Sequence, residues 1–281
     1  MKEEEAYSIL DIISESDGQS VILTRSGSIC IPFELRQPEC YSLSPEEIDE
    51  RDGMYREAFR HMPDGTYVHK QDVFLKKEYH PGKGTGSFLD RADARHFEGR
   101  LYIDHTCILH FVLAGLKSLE KAYVSSPLAY KEHLHREDYR KLEAFLEGVD
   151  NAVSILQNMR GNSVLPMSCE GISGFTRAYS GLFGDTDAVV DIHVDGSLHV
   201  GKNHARCYAV CDETFLPEGN IESYVRDESL PPAASQLYHP LMEQLGIYLP
   251  YNHIVNQVIY FEGNERLRSR CLLYTSPSPR D

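Results

Sequence analysis

The chain has 281 residues, of which 41% are apolar, and it carries a formal net charge of −15. At a typical size of about 150 residues per domain, the chain can form one large or two modest domains. The apolar fraction is sufficient for a hydrophobic core. Acidic residues are spread along the chain rather than collected in one tail. The resulting negative electrostatic potential disfavours direct binding to duplex DNA or to an anionic membrane surface, because such binding depends on clustered Lys and Arg.

Neither a membrane span nor a secretory leader is expected. Every apolar run is shorter than the ~18 residues of a transmembrane helix, and the acidic residues 1–5 are unlike the basic start of a signal peptide. The seven cysteines show no paired spacing, so reduced thiols are expected; they occupy positions 30, 40, 107, 169, 207, 211 and 271. A cytoplasmic location is predicted.

The start of the chain predicts a hairpin followed by a helix. Two β-rich runs are joined at residues 25–28, where Gly27 supplies the positive φ of a tight turn. Residues 44–45, Ser-Pro, then provide an N-cap and a proline at the first helical position, with acidic residues next. This helix is expected to run to about Met62 and to be closed by a turn at residues 63–65.

The central block predicts strand, loop, helix and strand. Residues 67–75 and 102–113 are rich in β-branched and aromatic side chains, as strands are. Between them, Ser87 is placed to cap a helix that runs through Phe97 until Gly99 stops it.

A glycine-rich loop in this block, PGKGTGS, imitates a nucleotide-binding motif without matching it. A P-loop requires GxxxxGK[ST], but Lys83 is followed by Gly84, and Lys77 stands five residues before Gly82. The alternating glycines do not fit GxGxxG either. A surface loop is therefore expected.

The second half of the chain predicts one long helix and several short strands. Apolar residues recur every three or four positions from Tyr139 to Met159, which indicates an amphipathic helix near 137–159. A short apolar piece and a helix are predicted at 161–180. Short strands follow at 189–194, 198–200 and 206–210, with a two-residue turn at 195–196. A long exposed loop is predicted at 217–235, and the last strands at 245–249 and 254–261. The fold class is α+β, with mixed or antiparallel strands and a few helices.

Candidate chemical motifs are weak. The run from Gly171 to Phe175 lacks the second glycine of a GxSxG nucleophile elbow. Three histidine or cysteine groups lack the spacing of a zinc site: His204 with Cys207 and Cys211, His133 with His135, and His105 with His110. No catalytic, cofactor-binding or metal-binding residue is assigned.

Five short words carry a resemblance. They are VHKQD at 68–72, SFL at 87–89, RHFEGR at 95–100, YIDH at 102–105 and YNHIVNQ at 251–257. In this order they resemble the N-terminal region of TraG-family conjugation ATPases of conjugative transposons. That family is similar to the motor ATPases of type IV secretion systems.

The resemblance implies a non-catalytic role for this chain. The longer parent would carry a P-loop ATPase domain after this region, and ATP and Mg²⁺ are implied for that missing domain alone. The family's catalytic motifs have no matching position here, so no catalytic residue is carried over. The implied partners are other conjugation proteins at the inner membrane, with self-association and peripheral attachment through partners left open, and no direct nucleic acid is expected.

The expected organisation has three parts. Residues 1–64 form a hairpin-plus-helix module, and residues 65–270 form the TraG-like α+β region. Residues 271–281, CLLYTSPSPRD, resemble the translation of a transposase sequencing adaptor, so the natural sequence is expected to end near Arg270.

A small stand-alone cytoplasmic enzyme is the alternative. It would use a His, Cys and Asp site such as Asp104, His105 and Cys107. Strand alternation sends Asp104 to the opposite face from the other two, which weakens this alternative.

Overall fold

A computed structural model describes most of the chain, and it has an α+β fold built from four helices and twelve strands within the described residues. These are residues 9–14, 18–38, 45–81, 87–116, 136–184, 192–209, 225–226, 238–239 and 249–262. Every pairing between the described strands is antiparallel.

A seven-stranded main sheet forms the centre of the structure. Its strands are β1 (Ile9–Ser14), β2 (Ser20–Thr24), β3 (Ile29–Arg36), β4 (Thr66–Glu78), β5 (Leu101–Leu113), β6 (Ser163–Pro166) and β12 (His253–Phe261). The order is β1-β2-β3-β5-β4-β12, and β6 pairs with the second half of β3. The sheet therefore joins strands from both ends of the chain.

The other described strands form two small sheets that do not pair with the main sheet. The first has three strands, β7 (Ile192–Val194), β8 (Leu198–Val200) and β9 (Asn203–Ala205). The second pairs β10 (Val225–Arg226) with β11 (Tyr238–His239).

The four helices are α1 (Pro45–Phe59), α2 (Phe88–Phe97), α3 (Arg136–Asn158) and α4 (Cys169–Ser180). Helix α2 begins with a capping box, in which the Asp90 N–H donates to Ser87 Oγ at 3.3 Å and the Ser87 N–H donates to Asp90 Oδ2 at 2.7 Å. No helix in the described part of the chain is long and apolar enough to cross a membrane.

The core lies on the face of the main sheet that α1 and α3 cover, hereafter the helix face. Phe145, Val149, Ala152 and Leu156 form the buried stripe of α3, as the helical spacing predicts. Gly148 stands in the same stripe, and a Cβ there would lie 3.2 Å from Pro63 Cδ. The absence of a side chain thus lets α3 approach the turn after α1.

An aromatic cluster fills the middle of this core. The Phe111 ring, on β5, is fully buried and meets Phe33 and Phe59 edge to face, with centroids 5.8 and 6.3 Å away. Phe59 also contacts Phe261 of β12 at 6.5 Å. Such pairs add about 0.5–1.5 kcal/mol each beyond the apolar area that they bury.

The opposite face of the sheet carries a smaller apolar cluster. Ile22, Cys30 and Val112 are buried there against Ile172 of α4. Ser168 caps α4, because the Gly171 N–H donates to its Oγ at 3.2 Å. Helix α4 therefore covers the part of this face that β1, β2 and β3 form.

Most of the predicted elements are confirmed. The hairpin at residues 25–28 joins β2 to β3, with Gly27 at φ 75°, and the helix predicted from Pro45 ends at Phe59 rather than Met62. The capped helix from Ser87 and the last predicted strand are α2 and β12. The strand predicted at 245–249 and the loop at 217–235 lie mostly outside the described residues.

Two predictions in the small sheet are wrong. A strand was expected at 206–210, but the strand after β8 is β9, Asn203–Ala205. A tight turn directly after β8 reverses the chain, so that β9 begins three residues earlier than expected. The turn expected to have two residues has three, since Val194 pairs with Leu198. Gly196 still supplies the positive φ, at 66°.

Replacing Phe145 by Ala tests the core. Its side chain is fully buried, so the cavity and the lost apolar contact are expected to lower the free energy of unfolding by about 3–5 kcal/mol in urea titrations. Phe88→Ala is the matched control, because Phe88 is 76% exposed, and it should change the free energy by less than about 0.5 kcal/mol. Equal losses in the two variants would contradict this assignment of the core.

Candidate functional site

The most chemically distinctive cluster lies on the helix face, where the apolar core ends. Asp72 of β4 is buried there, with its side chain 6% exposed. Its Oδ1 accepts a hydrogen bond from His105 Nε2 at 2.9 Å, and its Oδ2 pairs with the Lys70 ammonium. We refer to Lys70, Asp72, His105 and Cys107 as the Asp72 cluster.

Strand register brings this cluster together. Lys70 and Asp72 are two residues apart on β4 and therefore share a face. Cys107 of β5 lies directly opposite Asp72, and His105 is opposite Phe74. The His105 ring stacks on the Phe74 ring, with centroids 4.5 Å apart, and this contact fixes the imidazole beside the carboxylate.

The charges around Asp72 keep its carboxylate ionised. Burial by itself would raise the pKa of Asp72, but the hydrogen bond from His105 and the positive charge of Lys70 outweigh it and hold the pKa below its usual range. The cluster is therefore an ion pair with an attached imidazole. The ionised Asp72 carboxylate orients the His105 imidazole through their hydrogen bond.

The Cys107 thiol is not activated by this arrangement. Its pKa is raised to about 12, mainly by burial; Lys70 acts in the other direction, and the neighbouring Asp72 carboxylate contributes to the rise. A thiol with such a pKa is protonated at neutral pH, and the thiolate is the nucleophilic form. The cluster consequently has the base and its orienting carboxylate but no ready nucleophile.

A second polar cluster lies on the opposite face of the same strands. Asn256 Oδ1 of β12 accepts hydrogen bonds from His69 Nε2 at 2.8 Å and from Gln71 Nε2 at 2.9 Å. The His69 ring stacks on the His110 ring, with centroids 5.2 Å apart. His110 Nδ1 lies 3.8 Å from Cys30 Sγ. These contacts join β3, β5, β4 and β12 across the sheet.

His110 is the electrostatically unusual member of this second cluster. Its Nε2 has no hydrogen-bond partner among the described residues and is shielded from solvent. Burial, with a smaller contribution from His69, lowers the pKa of His110 to about 3. His110 is thus a neutral imidazole at physiological pH.

Three histidines form a row on the small sheet. His199 of β8 lies between His193 of β7 and His204 of β9, with ring centroids 4.8 and 4.2 Å away. Partial shielding and the two neighbouring imidazoles lower the pKa of His199. The His193 and His199 rings are parallel within 1°, so their nitrogens do not converge on one point.

The residues singled out in the sequence are separated by the fold. Asp104 pairs with Lys77 on the opposite face from His105 and Cys107, as strand alternation predicts. His105 and His110 likewise face opposite sides of β5. No group of three His, Cys, Asp or Glu placed to hold a metal ion occurs among the described residues. His133, His135, Cys211 and the glycines at 82–86 lie outside those residues.

Sequence reasoning missed Asp72 and Lys70. A local signal was present, because two charged residues two positions apart must share a face of β4, which elsewhere contributes Val68 to the core. Their partner His105 lies 33 residues from Asp72. Only the register of β4 against β5 identifies that pair.

Comparison with protein-family models and with curated proteins identifies no relative. No protein-family model matches the chain, and no curated protein matches it significantly. The resemblance of the five words to TraG-family ATPases therefore stays a prediction, and the function has to be argued from the residues and their geometry.

Replacing Asp72 by Asn tests the Asp72 cluster. The change leaves Lys70 and His105 without their carboxylate, and it is expected to lower the free energy of unfolding by about 1–3 kcal/mol at pH 7. Because the folded-state pKa of Asp72 is lowered, its contribution exists above the ordinary carboxyl pKa and is lost as pH falls through the folded pKa. Urea titrations should therefore show the difference from wild type shrinking below about pH 4.

The control for that experiment is Asp104→Asn, which removes an ion pair between Asp104 of β5 and Lys77 of β4. That pair is more exposed, with side chains 38% and 47% accessible, so a smaller loss is expected. A loss at Asp104 as large as that at Asp72 would contradict the central role of Asp72.

Replacing His110 by Phe tests its lowered pKa. In the wild type, the unfolded chain takes up a proton at this position below about pH 6.5 while the folded chain does not until about pH 3. The free energy of unfolding should therefore fall as the pH is lowered from about 6.5 to about 3. This group contributes at most about 1.4 kcal/mol per pH unit to the fall. The variant should show a flatter curve of unfolding free energy against pH, and parallel curves for the two proteins would refute the lowered pKa.

Proposed function

We propose that this chain is the non-catalytic N-terminal region of a TraG-like conjugation ATPase and serves to dock and assemble the transfer machinery. In this proposal the parent protein carries a P-loop ATPase domain after this region. ATP and Mg²⁺ belong to that domain. The partners are other type IV secretion or conjugation proteins at the inner membrane, and the region itself lies in the cytoplasm.

The observation that carries the proposal is that three of the five resembling words lie on paired strands of the main sheet. VHKQD lies on β4 and YIDH lies on the paired strand β5, opposite residues 74–77 that follow VHKQD. YNHIVNQ leads into β12, where Val255 pairs with Asp72 and Asn256 with Gln71. The first and last words are more than 180 residues apart in sequence and adjacent in the sheet. Words that share one structural unit are what a common fold would preserve.

The other two words form an arm that extends β4 and β5 beyond the core. SFL and RHFEGR begin and end α2, which has no buried residue. The arm is nevertheless ordered by backbone bonds, since the Tyr79 N–H donates to the Arg100 carbonyl at 2.9 Å and the Gly99 N–H donates to the Tyr79 carbonyl at 3.0 Å.

Exposed apolar side chains on this arm support a docking role. They belong to α2 and to the start of β5: Phe88, Leu89, Phe97, Leu101, Tyr102 and Ile103. Leu101 and Ile103 share one face of β5, and Tyr102 lies on the other. Large exposed apolar side chains that are grouped in one segment mark protein contact sites more often than isolated ones do. Charged residues of both signs alternate with them on α2, which is the composition of an interface rim. The arm is the surface through which we propose that the region contacts its partners.

The chemistry of the Asp72 cluster favours this proposal over the stand-alone enzyme. Asp72 takes the place that the enzyme alternative gave to Asp104, and it does orient His105. The Cys107 thiol, however, has a pKa of about 12 and lies in the core. The cluster is therefore better suited to holding β4 and β5 in register than to nucleophilic catalysis.

The test combines the source DNA with nucleotide binding by the chain. The natural gene is expected to continue beyond the codon for Arg270 and to encode GxxxxGK[ST] after a strand. The 281-residue chain itself should show no heat of Mg²⁺-dependent ATP binding in titration calorimetry. The matched positive control is the complete parent protein, which should bind ATP with a stoichiometry near one.

Two results would overturn the proposal. An in-frame stop close to the Arg270 codon would identify a short independent protein. Stoichiometric ATP binding by the 281-residue chain would place a nucleotide site where none is proposed.

A further inference from the structure

The small sheet of β7, β8 and β9 carries one histidine on each strand, and all three lie on the same face. His193 pairs directly with His199, and His199 pairs directly with His204. Each histidine is the middle residue of a three-residue strand, so the residues that flank it point to the other face. Residues directly opposite each other in an antiparallel pair have their Cβ atoms about 4.5–5.5 Å apart. The register therefore holds the imidazoles of neighbouring strands within contact distance.

Nitrogens of His199 and His204 converge on the hydroxyl of Ser197, which lies in the turn between β7 and β8. Ser197 Oγ is 3.1 Å from His199 Nε2 and 3.5 Å from His204 Nδ1. The two rings have centroids 4.2 Å apart and are tilted by 57°. The His193 ring, by contrast, is stacked in parallel on that of His199. One nitrogen from each of two adjacent strands thus faces a single point.

We propose that His199 and His204 bind one divalent transition-metal ion of the Zn²⁺, Ni²⁺ and Cu²⁺ class, with the Ser197 hydroxyl beside it and water completing its coordination. Imidazole nitrogen is a ligand that suits these metals. Zn²⁺ binds imidazole at about 2.0–2.1 Å, so the two nitrogens have to lie within about 4.2 Å of each other. Because both already lie within 3.5 Å of one oxygen atom, the adjustment is one of side-chain rotamers.

The number of protein ligands distinguishes this site from a closed structural zinc site. No group of three His, Cys, Asp or Glu is placed to hold a metal among the residues that the structure describes. The proposed ion has two such ligands, on strands that are already paired. Zn²⁺ has no geometric preference from its d electrons, which makes it the probe of choice for a site with few protein ligands.

The weak packing of the small sheet gives the ion a structural role. Each of its strands has three residues, and Val200 is the only buried one among these nine. Sheets this small bury too little apolar surface to be stable by themselves. An ion that joins β8 to β9 cross-links the two strands, since the free energy of metal binding contributes directly to folding. The inference does not rest on the proposed function, because it involves neither a nucleotide nor a protein partner.

Calorimetric titration of the complete 281-residue chain with Zn²⁺ tests the site. One ion per chain is expected to bind there, and His199→Gln or His204→Gln should each weaken this binding at least about tenfold, because each removes one of two protein ligands. His61→Gln is the matched control, since His61 follows α1 and its side chain is 60% exposed. Cys207→Ser is the second control, because Cys207 is an exposed free thiol close to β9. Neither control should change the affinity.

Hydrogen exchange measured by mass spectrometry locates the ion in a chain that has 13 histidines and seven cysteines. Zn²⁺ should slow amide exchange across residues 192–205 in the wild type and in His61→Gln, and it should have no such effect in His199→Gln. Circular dichroism establishes that each variant is folded. A wild type that binds no Zn²⁺ overturns the proposal, and so does protection of residues 192–205 that both histidine variants retain. Binding that is lost in Cys207→Ser but kept in both of those variants would also overturn it.

Discussion

The pairing of β4 with β5 is the constraint on which the rest of the structure depends. Both strands have 13 residues, and they pair from Thr66 opposite Leu113 to Glu78 opposite Leu101. One half of this ladder lies under α1 and α3 and carries Phe111, the centre of the core. The other half continues past the helices and supports α2. Packing on the first half therefore determines where the exposed arm points.

Polar side chains make this register specific. Asp72 pairs with Lys70 and His105 on the helix face, while His69 and Gln71 bond to Asn256 on the other face. A slip of one residue would move the carboxylate to the opposite face and leave it without its partners. Apolar residues alone would tolerate such an error better than a buried charge does. The two polar clusters thus favour the same alignment as the apolar residues that alternate between the two faces.

Local patterns explain how much of the fold the sequence could predict. The spacing of Phe145, Val149 and Leu156 identified α3, and Ser87 identified the start of α2, because these signals lie within a few residues. The strand expected at 206–210 was wrong because short strands carry little periodicity. The partners of Asp72 could not be predicted, since they depend on the register between strands that are distant in sequence. The apolar arm was equally invisible, because Phe88 and Leu89 look like core residues until packing is known.

The position of β12 has a consequence for how the chain folds. His69 and Asn256 are bonded across a sequence separation of 187 residues. Until residues 253–261 have been synthesised, β4 lacks its partner β12. The side chains that later bond to Asn256 are exposed to water or to other chains during that time. Loop closure over such a distance is slow compared with helix formation. Nascent molecules therefore pass through a period in which β4 can mispair, and this period ends when β12, the last of the described strands, pairs with it.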